Sequence, residues 1–415
     1  MTTAMNVLRR LSARQPATGL PREFYVDERV FELDLELIFY RQWLFAAHES
    51  ELPQPGSYLT LQVGAYPIVL VRCGSGLIRA FVNACRHRGS RLCRAERGRA
   101  ARLVCPYHQW TYDLDGRLFA ARQMGAGFDR GAYALKQLHC ETVAGYIFIC
   151  LAAQAPDFSA TRAQLSAYLG PHRLAAARVA FESTIIEDGN WKLVWENNRE
   201  CYHCAGNHPE LARTFPDSPT TTGVSGAASD PVIVEHWRHC EALGLPSEFR
   251  LSPEGGLRTA RMPLLGSAVS YTASGEAAVA RALCADIAPG ASIGALLAFH
   301  YPTTWNHVLA DHAISFRVLP LSATRTQLTT KWLVHPEAQE GRDYSLEELT
   351  GVWRATNEQD RRIVQENQIG VSSPSYEPGP FADPQETGVR QFVEWYSAHL
   401  QAHLAQGAGT LTEVA

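Results

Sequence analysis

Two short motifs that pair cysteine with histidine constrain this chain more than any other feature. CRH at 85–87 is followed, after seventeen residues, by CPYH at 105–108. Zinc modules usually supply C-x2–4-C pairs with their histidines together, whereas each loop here brings one cysteine and one histidine. A two-iron two-sulfur cluster with unlike irons needs that distribution, because one iron takes both thiolates and the other takes both imidazoles. The spacing predicts a Rieske-type cluster, with zinc as the alternative, on Cys85, His87, Cys105 and His108.

The loops around these four ligands are strongly basic. A single acidic residue, Glu96, faces seven arginines: 86, 88, 91, 94, 97, 99 and 102. A solvated loop face is one interpretation, and a docking face for an acidic electron donor is the other. The aromatic side chains that would stack on bases are missing, which argues against nucleic acid. Cys93, between the two loops, is assigned to packing.

A second ligand set lies in the stretch ECYHCAGNH at 200–208. On a continuous helix Glu200 and His203 would share a face, but His208 would point elsewhere. The Gly-Asn pair at 206–207 and the proline that follows His208 predict a helix end, so the chain can turn His208 back beside His203. Two histidines with one carboxylate and open positions are typical of non-haem Fe(II) oxygenases. Cys201 and Cys204 are assigned to packing.

The third ligand must come from a distant carboxylate. The helical stretch TNEQDRRIVQENQ carries Glu358, Asp360 and Glu366. We expect Asp360 to be the ligand, with Glu358 as the alternative. A solvated helix face would explain any one of these acids equally simply.

Composition narrows the class of protein. The 415 residues are 46% hydrophobic and 19% charged, and the net charge of −4 gives no general reason to bind nucleic acid. No run of 18 apolar residues predicts a membrane span, and the N-terminus has no apolar signal region. The ten cysteines are scattered, so we expect reduced thiols and a cytoplasmic location.

Hydrophobic patterning predicts an α+β protein with two main domains. We expect a loose stretch over the first twenty residues, a helix near 27–43, and an N-terminal segment over 1–45 that packs on the catalytic domain. Strand-like alternation predicts a β-rich iron-sulfur domain over 46–155, with a hairpin turn at Asp115-Gly116. Mixed strands and helices over 156–415 predict an antiparallel sheet with helices packed on it, a helix-grip-like catalytic domain.

With both ligand sets located, the chain resembles Rieske non-haem iron oxygenase α subunits over nearly its whole length. Within that family NWKLVWENNRECYHCAGNHPEL, ARMPL, YPTTWNH, TKWLVH and ATNEQDRRIVQENQ are similar to the stachydrine (proline betaine) demethylase and glycine betaine monooxygenase group. The resemblance places the cluster ligands on the two loops and the iron ligands on His203, His208 and Asp360. Most of the wider family has aspartate where this chain has Glu200, and the betaine enzymes share the glutamate.

The resemblance also implies how the enzyme works. It implies a homotrimer in which Glu200 bridges His108 of one subunit and His203 of the next. Electrons would come from NAD(P)H through a flavin-containing reductase with a ferredoxin-type domain. Dioxygen would then drive N-demethylation of a betaine with release of formaldehyde, and stachydrine is favoured over glycine betaine. An aromatic-ring hydroxylating enzyme, a pure electron carrier and a zinc protein are the rival functions.

Substrate contacts are expected from YPTTWNH, because a quaternary ammonium group favours aromatic faces. Tyr301 and Trp305 are the candidates for the cation, and His307 is the candidate for orienting a carboxylate. Ordinary packing in the core would explain all three equally well.

Overall fold

The computed structural model describes residues 3–216, 230–284 and 286–411, with side chains given up to residue 405. The chain divides into two compact units. The smaller unit is Phe39–Asp157, and the larger unit combines Met1–Ile38 with Phe158–Ala415.

The smaller unit is built on antiparallel strands. A seven-stranded sheet has the order β1-β10-β9-β4-β3-β2-β5, and a three-stranded sheet has the order β6-β7-β8. Asp115 and Gly116 form the turn between β7 and β8, where Gly116 has a φ of 90°; a side chain would be strained there. The bounds are β1 Leu44–His48, β2 Ser57–Val63, β3 Tyr66–Arg72, β4 Ile78–Val82, β5 Arg97–Arg99, β6 Leu103–Val104, β7 Thr111–Tyr112, β8 Leu118–Ala120, β9 Gln137–Val143 and β10 Tyr146–Cys150.

The larger unit contains a second seven-stranded antiparallel sheet, in the order β11-β17-β16-β15-β14-β13-β12. Residues of β13, β14 and β15 are buried at every position, so both faces of this part of the sheet are covered. The predicted α+β class with helices on an antiparallel sheet is confirmed. The bounds are β11 Arg178–Glu187, β12 Arg250–Leu251, β13 Leu257–Met262, β14 Ala295–His300, β15 Thr304–Val308, β16 His312–Ser322 and β17 Arg325–Val334.

Helices of the larger unit pack around this sheet. The helix Leu346–Ser372, named here the ligand helix, begins where the Ser345 side chain accepts a hydrogen bond from the backbone N–H of Glu348. The other helices are Thr3–Ala13, Glu23–Val26, Glu28–Asp34, Ser159–Leu169, Trp191–Asn198, Cys204–Asn207, Pro231–Ala242 and Thr387–Leu411.

A buried charge pair fixes the helix Trp191–Asn198, which leads into the second ligand set. Lys192 and Asp34 form an ion pair with neither side chain exposed to solvent. Trp191 Nε1 donates to Asp34 Oδ2 at 3.0 Å, and Tyr396 Oη donates to Asp34 Oδ1 at 2.6 Å. Because a buried charge is tolerated only when it is paired and hydrogen-bonded, these contacts specify one position for the helix.

The N-terminal expectations were partly wrong. The first twenty residues are not all loose, since Thr3–Ala13 is a helix that buries Val7 and Leu11. The predicted helix over 27–43 is instead an α-helix over Glu28–Asp34, and a π-helical segment over Leu35–Phe39 continues it. Within the described part of the chain, no helix has both the length and the apolar character that spanning a membrane requires.

Candidate metal centres

The two Cys/His loops meet in the smaller unit. The thiols of Cys85 and Cys105 are buried and interact with each other. The imidazole centroids of His87 and His108 lie 4.6 Å apart. One pair of thiols beside one pair of imidazoles is the donor set that a cluster with unlike irons requires. The residues therefore fit a Rieske [2Fe-2S] group.

Two aromatic residues support this donor set. Tyr112 Oη lies 3.3 Å from Cys85 Sγ and accepts a hydrogen bond from the Arg86 backbone N–H at 3.0 Å. Since the backbone N–H occupies an acceptor site of the hydroxyl, the Tyr112 proton is free to point at the sulfur. Trp110 stacks on His87 with ring centroids 4.8 Å apart and planes 6° from parallel. Hydrogen bonds to ligand sulfurs are among the features that set the potential of such clusters.

The basic loops are partly neutralised within their own unit. Arg102 pairs with Asp113 at 2.9 Å, and Arg97 pairs with Glu51 at 3.2 Å. Arg88 Nη2 donates to His108 Nε2 at 2.6 Å. Arg94 is exposed and forms no ion pair with a described residue. The surface next to His108 therefore keeps positive charge that a partner could reach.

The second ligand set lies where the helix Trp191–Asn198 ends. A short helix over Cys204–Asn207 follows, and it turns the chain so that His203 Nε2 and His208 Nε2 lie 3.0 Å apart. Asp360 on the ligand helix places Oδ1 3.3 Å from His203 Nε2 and 3.1 Å from His208 Nε2. Glu358, the alternative, pairs instead with Arg361 at 2.5 Å. The geometry favours Asp360 as the third ligand.

Hydrogen bonds on the far side of each imidazole fix its tautomer. Glu200 Oε1 lies 2.5 Å from His203 Nδ1, and an ionised carboxylate can only accept, so this nitrogen carries a proton. The neutral imidazole of His203 then has its lone pair on Nε2, directed at Asp360. A carboxylate that accepts the proton of the outer ring nitrogen orients a metal-bound histidine and raises its basicity.

His208 is oriented by Gln359, which is itself held by Glu210. Gln359 Nε2 donates to Glu210 Oε2 at 2.8 Å, and a carboxylate cannot donate in return. The amide oxygen of Gln359 must therefore face His208 Nδ1, which lies 2.8 Å from it. His208 thus carries its proton on Nδ1 and presents the Nε2 lone pair to the same point as His203.

The three atoms that converge at this point, Nε2 of His203, Nε2 of His208 and Oδ1 of Asp360, are therefore all hydrogen-bond acceptors. Asp360 Oδ1 is buried and has no donor among the described residues. Burial disfavours the charged imidazole of His203, yet without a metal the carboxylates of Asp360 and Glu200 outweigh it and raise its pKa to about 10. A divalent metal ion at this point would displace the second ring proton and meet three converging lone pairs, from two histidines and one carboxylate.

The two cysteines of this stretch differ from expectation. Cys201 and Cys204 are joined by a disulfide, with Cα atoms 4.9 Å apart, so the expectation of reduced thiols was wrong at this pair. Cys204 Sγ lies within 4.8 Å of the donor atoms of His203 and His208. Because this sulfur is bonded to Cys201, it does not offer a thiolate to the metal. Two cysteines one helical turn apart are close enough to pair, which the sequence argument overlooked.

A partly open pocket lies beside the three ligands, with about 390 Å³ of space free of protein atoms, including the solvent at its mouth. His307, one of the three predicted substrate contacts, lines it. Tyr301 and Trp305 do not: Tyr301 Oη bonds Arg199 and Gln391, each at 2.7 Å. Trp305 packs against Trp195 and Phe316. The lining comprises Asn197, Asn198, Glu200, Cys201, His203, Cys204, His208, Leu211, Phe215, Phe299, His307, Trp353, Thr356 and Asp360.

Sequence reasoning missed several residues of this pocket. Phe215, Phe299 and Trp353 supply its aromatic walls, and Gln359 orients a ligand from outside. Trp353, Thr356 and Asp360 follow the i, i+3, i+7 spacing of one helix face, and that signal could have located Trp353 once Asp360 was proposed.

Comparison with known proteins identifies both domains. The sequence matches the Rieske [2Fe-2S] domain over residues 42–140 and the ring hydroxylating alpha subunit catalytic domain over residues 174–402. The chain therefore belongs to the ring-hydroxylating oxygenase α-subunit family, and it is a Rieske non-haem iron monooxygenase.

Individual relatives cover nearly all of the chain. It is 45% identical over 98% of its length to the glycine betaine monooxygenase oxygenase subunit of Pseudomonas aeruginosa strain UCBPP-PA14, and it covers 94% of that protein. The chain is also 44% identical to the same subunit of Chromohalobacter salexigens, over 97% of this chain and 90% of that protein. A solved quaternary ammonium Rieske monooxygenase superposes on this chain with a TM-score of 0.69 at 23% identity. The superposition covers 96% of this chain and 98% of that one, and the solved structure is reported with carnitine oxidation and inter-subunit electron transfer.

Proposed function

We propose that this chain is the oxygenase component of a system that N-demethylates glycine betaine. The observation that carries the proposal is the 45% identity to a glycine betaine monooxygenase subunit across 98% of the chain. The reaction consumes glycine betaine, dioxygen, two electrons and two protons, and it yields dimethylglycine, formaldehyde and water. Hydroxylation of one N-methyl carbon gives a hemiaminal, which collapses to formaldehyde and the tertiary amine.

Glycine betaine replaces stachydrine as the favoured substrate. The short sequence stretches around the iron ligands favoured the proline betaine enzyme. The relatives that match nearly the whole chain, however, are named as glycine betaine monooxygenase subunits. Both substrates present a fixed positive nitrogen close to a carboxylate, so local motifs at the metal do not separate them. Stachydrine remains a substrate to be measured in the same assay.

The proposed cofactors are the [2Fe-2S] cluster in the smaller unit and one Fe(II) on His203, His208 and Asp360. When bound, the cluster supplies single electrons and the iron supplies dioxygen activation. The chain's own side chains orient these ligands. Glu200 and Gln359 hold the proton on the outer nitrogen of each histidine, so that the inner nitrogen stays available to the metal.

The pocket walls suit a trimethylammonium group. Such a group has no N–H to donate, so it gains from apolar contact and aromatic faces rather than from hydrogen bonds. Leu211, Phe215 and Phe299 supply these surfaces. The N-methyl groups then lie beside the ligand set rather than in bulk water, which excludes solvent from the reacting carbon.

The proposed partners follow from the need for electrons. A reductase that carries flavin and a ferredoxin-type centre would pass electrons from NAD(P)H to the cluster, which places the enzyme in the cytoplasm. The exposed arginines near His108 are the proposed docking surface. We further propose a homotrimer in which Glu200 contacts His108 of the partner subunit. In support, the solved quaternary ammonium relative is reported with inter-subunit electron transfer.

The test measures formaldehyde from reconstituted enzyme with dioxygen and a competent reductase. Glycine betaine, stachydrine, carnitine and anthranilate are compared by specificity constant. The proposal requires glycine betaine to rank first and to yield dimethylglycine in a one-to-one ratio with formaldehyde. A higher specificity constant for stachydrine would return the choice to proline betaine, and hydroxylated anthranilate without formaldehyde would overturn N-demethylation. His203→Ala is the control for activity independent of the iron site.

A further inference from the structure

Two buried N–H groups in the iron pocket have no acceptor. Trp353 is 6% exposed and His307 is 3% exposed, and both line the pocket. Neither Trp353 Nε1 nor His307 Nε2 has a hydrogen-bond partner among the described residues. Their ring centroids lie 4.6 Å apart. Leaving two adjacent buried polar groups unpaired is costly, so their position calls for a ligand that accepts from both.

The protonation of His307 follows from its one visible partner. His307 Nδ1 lies 3.3 Å from Tyr271 Oη, and Tyr271 is buried. If the hydroxyl donates to Nδ1, its proton is used and Nε2 carries the remaining ring proton. In the reverse arrangement Nδ1–H would donate to Tyr271 Oη, and both the Tyr271 proton and the Nε2 lone pair would be left without a partner. Burial lowers the pKa of His307 to about 3, so the ring is neutral. Nε2 is therefore an N–H donor on a side chain that lines the pocket.

Among the described residues, the pocket has no cationic side chain that could bind an anion. The described residues that line the pocket include no lysine and no arginine. Arg199 is close in space, but its guanidinium lies over the Phe299 ring, 4.4 Å from the centroid, and it donates to Tyr301. Phe299, rather than Arg199, lines the pocket.

We propose that Trp353 Nε1–H and His307 Nε2–H together bind the carboxylate of the substrate. This inference rests on the proposed function, because it assigns one end of a betaine to these two donors. A carboxylate has two oxygens with lone pairs for both, and hydrogen bonds to an ionised acceptor are the stronger kind.

The ligand helix sets the distance between this anchor and the metal. Trp353 and Asp360 lie two turns apart on one face, which separates their backbone positions by about 10 Å along the axis. Thr356 lies between them on the same face and also lines the pocket. A short zwitterion held by its carboxylate at Trp353 directs its trimethylammonium end toward Asp360, where an N-methyl carbon must lie.

The test removes one donor and keeps the ring. Trp353→Phe should raise both the KM and the anaerobic Kd for glycine betaine by about 10- to 100-fold, since a hydrogen bond to a charged group is lost. Affinity for tetramethylammonium, which has the cation but no carboxylate, should change less than twofold. His307→Gln, which keeps an N–H donor, should retain more affinity than His307→Leu. Calorimetry on the ferrous protein measures binding without turnover.

Trp332→Phe is the matched control. Trp332 is buried and its Nε1 also lacks a partner among the described residues, but it does not line the pocket. The Trp332→Phe variant should leave the affinities for glycine betaine and tetramethylammonium unchanged. Equal losses for glycine betaine and tetramethylammonium in Trp353→Phe would reveal a packing role and overturn the anchor, as would an unchanged Kd. If wild-type protein fails to demethylate glycine betaine, the proposed function fails instead. Iron content and cluster absorbance of each variant confirm folding.

Discussion

Replacing Gln359 with leucine should weaken the mononuclear metal site without touching a ligand. Gln359 accepts the Nδ1 proton of His208, a residue that is 1% exposed. Without that acceptor the buried N–H is left unpaired, at a cost of about 1–3 kcal/mol. The imidazole can avoid this cost by moving its proton to Nε2, where Asp360 accepts it, and the metal must then displace that proton. At 1.4 kcal/mol per tenfold, we expect about 5- to 140-fold weaker binding of Fe(II).

The assay is a titration of Fe(II), or of Co(II) as a spectroscopic substitute, into protein that retains its cluster. Cluster absorbance should be unchanged in Gln359→Leu, since the cluster ligands lie in the other unit. Gln359→Glu keeps an acceptor for His208 and should bind metal more tightly than the leucine variant. Glu347→Gln is the control, because it removes an exposed charge from the same helix without contacting Gln359. Metal affinity in Gln359→Leu within twofold of wild type would refute the tautomer argument.

The other predictions concern coupling, ligand assignment, docking and stability. Glu200→Gln should keep both metals yet lower turnover steeply under multiple-turnover assay, and normal turnover would remove Glu200 from the electron path. His203→Ala should lose the mononuclear iron and keep the coloured cluster, and His108→Ala should do the reverse, by iron and sulfide analysis. Charge reversal at Arg94 should mimic added salt in weakening reductase affinity, because exposed charges are screened over about 10 Å at 0.1 M; a salt-independent affinity would favour a merely solvated face. Burial raises the pKa of Glu196 from 4.5 to about 7, so its contribution to stability is lost as the pH rises toward 7; Glu196→Gln should therefore gain about 1–2 kcal/mol in denaturant unfolding at pH 8 but not at pH 4.

The candidate metal ligands could be proposed from the sequence because the chemistry of such ligands restricts both residue type and spacing. Only thiolates and imidazoles divided between two loops suit a cluster with unlike irons, and Cys85 and His87 show that division in three residues. The broken helix before His208 was likewise encoded locally, by Gly206 and Asn207. Asp360 was harder to choose, because Glu358 lies on the same helix two residues away. The arginine partner of Glu358 favours Asp360 as the proposed ligand, and that contact is visible only in the folded chain.

The proposed substrate contacts were harder to predict from the sequence, because they depend on which part of a strand meets the pocket. Trp305 and His307 are two apart on β15, so alternation puts them on the same face of the sheet. His307 reaches the pocket, whereas Trp305 is covered by Trp195 and Phe316. Trp353 reads in the sequence as an ordinary core aromatic of an amphipathic helix. Its role depends on an unpaired N–H, a property that composition and spacing do not reveal.

A neutral anchor for the carboxylate is consistent with the charges already present in the pocket. In glycine betaine the quaternary nitrogen lies one methylene from the carboxylate, so a guanidinium on that carboxylate would lie about 6 Å from the substrate cation. At an effective dielectric of about 20, two like charges at that distance repel by about 3 kcal/mol. Donors such as Trp353 Nε1–H and His307 Nε2–H bind the carboxylate without that repulsion. The covering of Arg199 by Phe299 has the same effect, since it keeps a buried cation out of direct contact with the ammonium site. A pocket of this kind selects against simple cations by its N–H donors and against simple anions by its apolar walls, which leaves the zwitterion as the ligand that satisfies both ends.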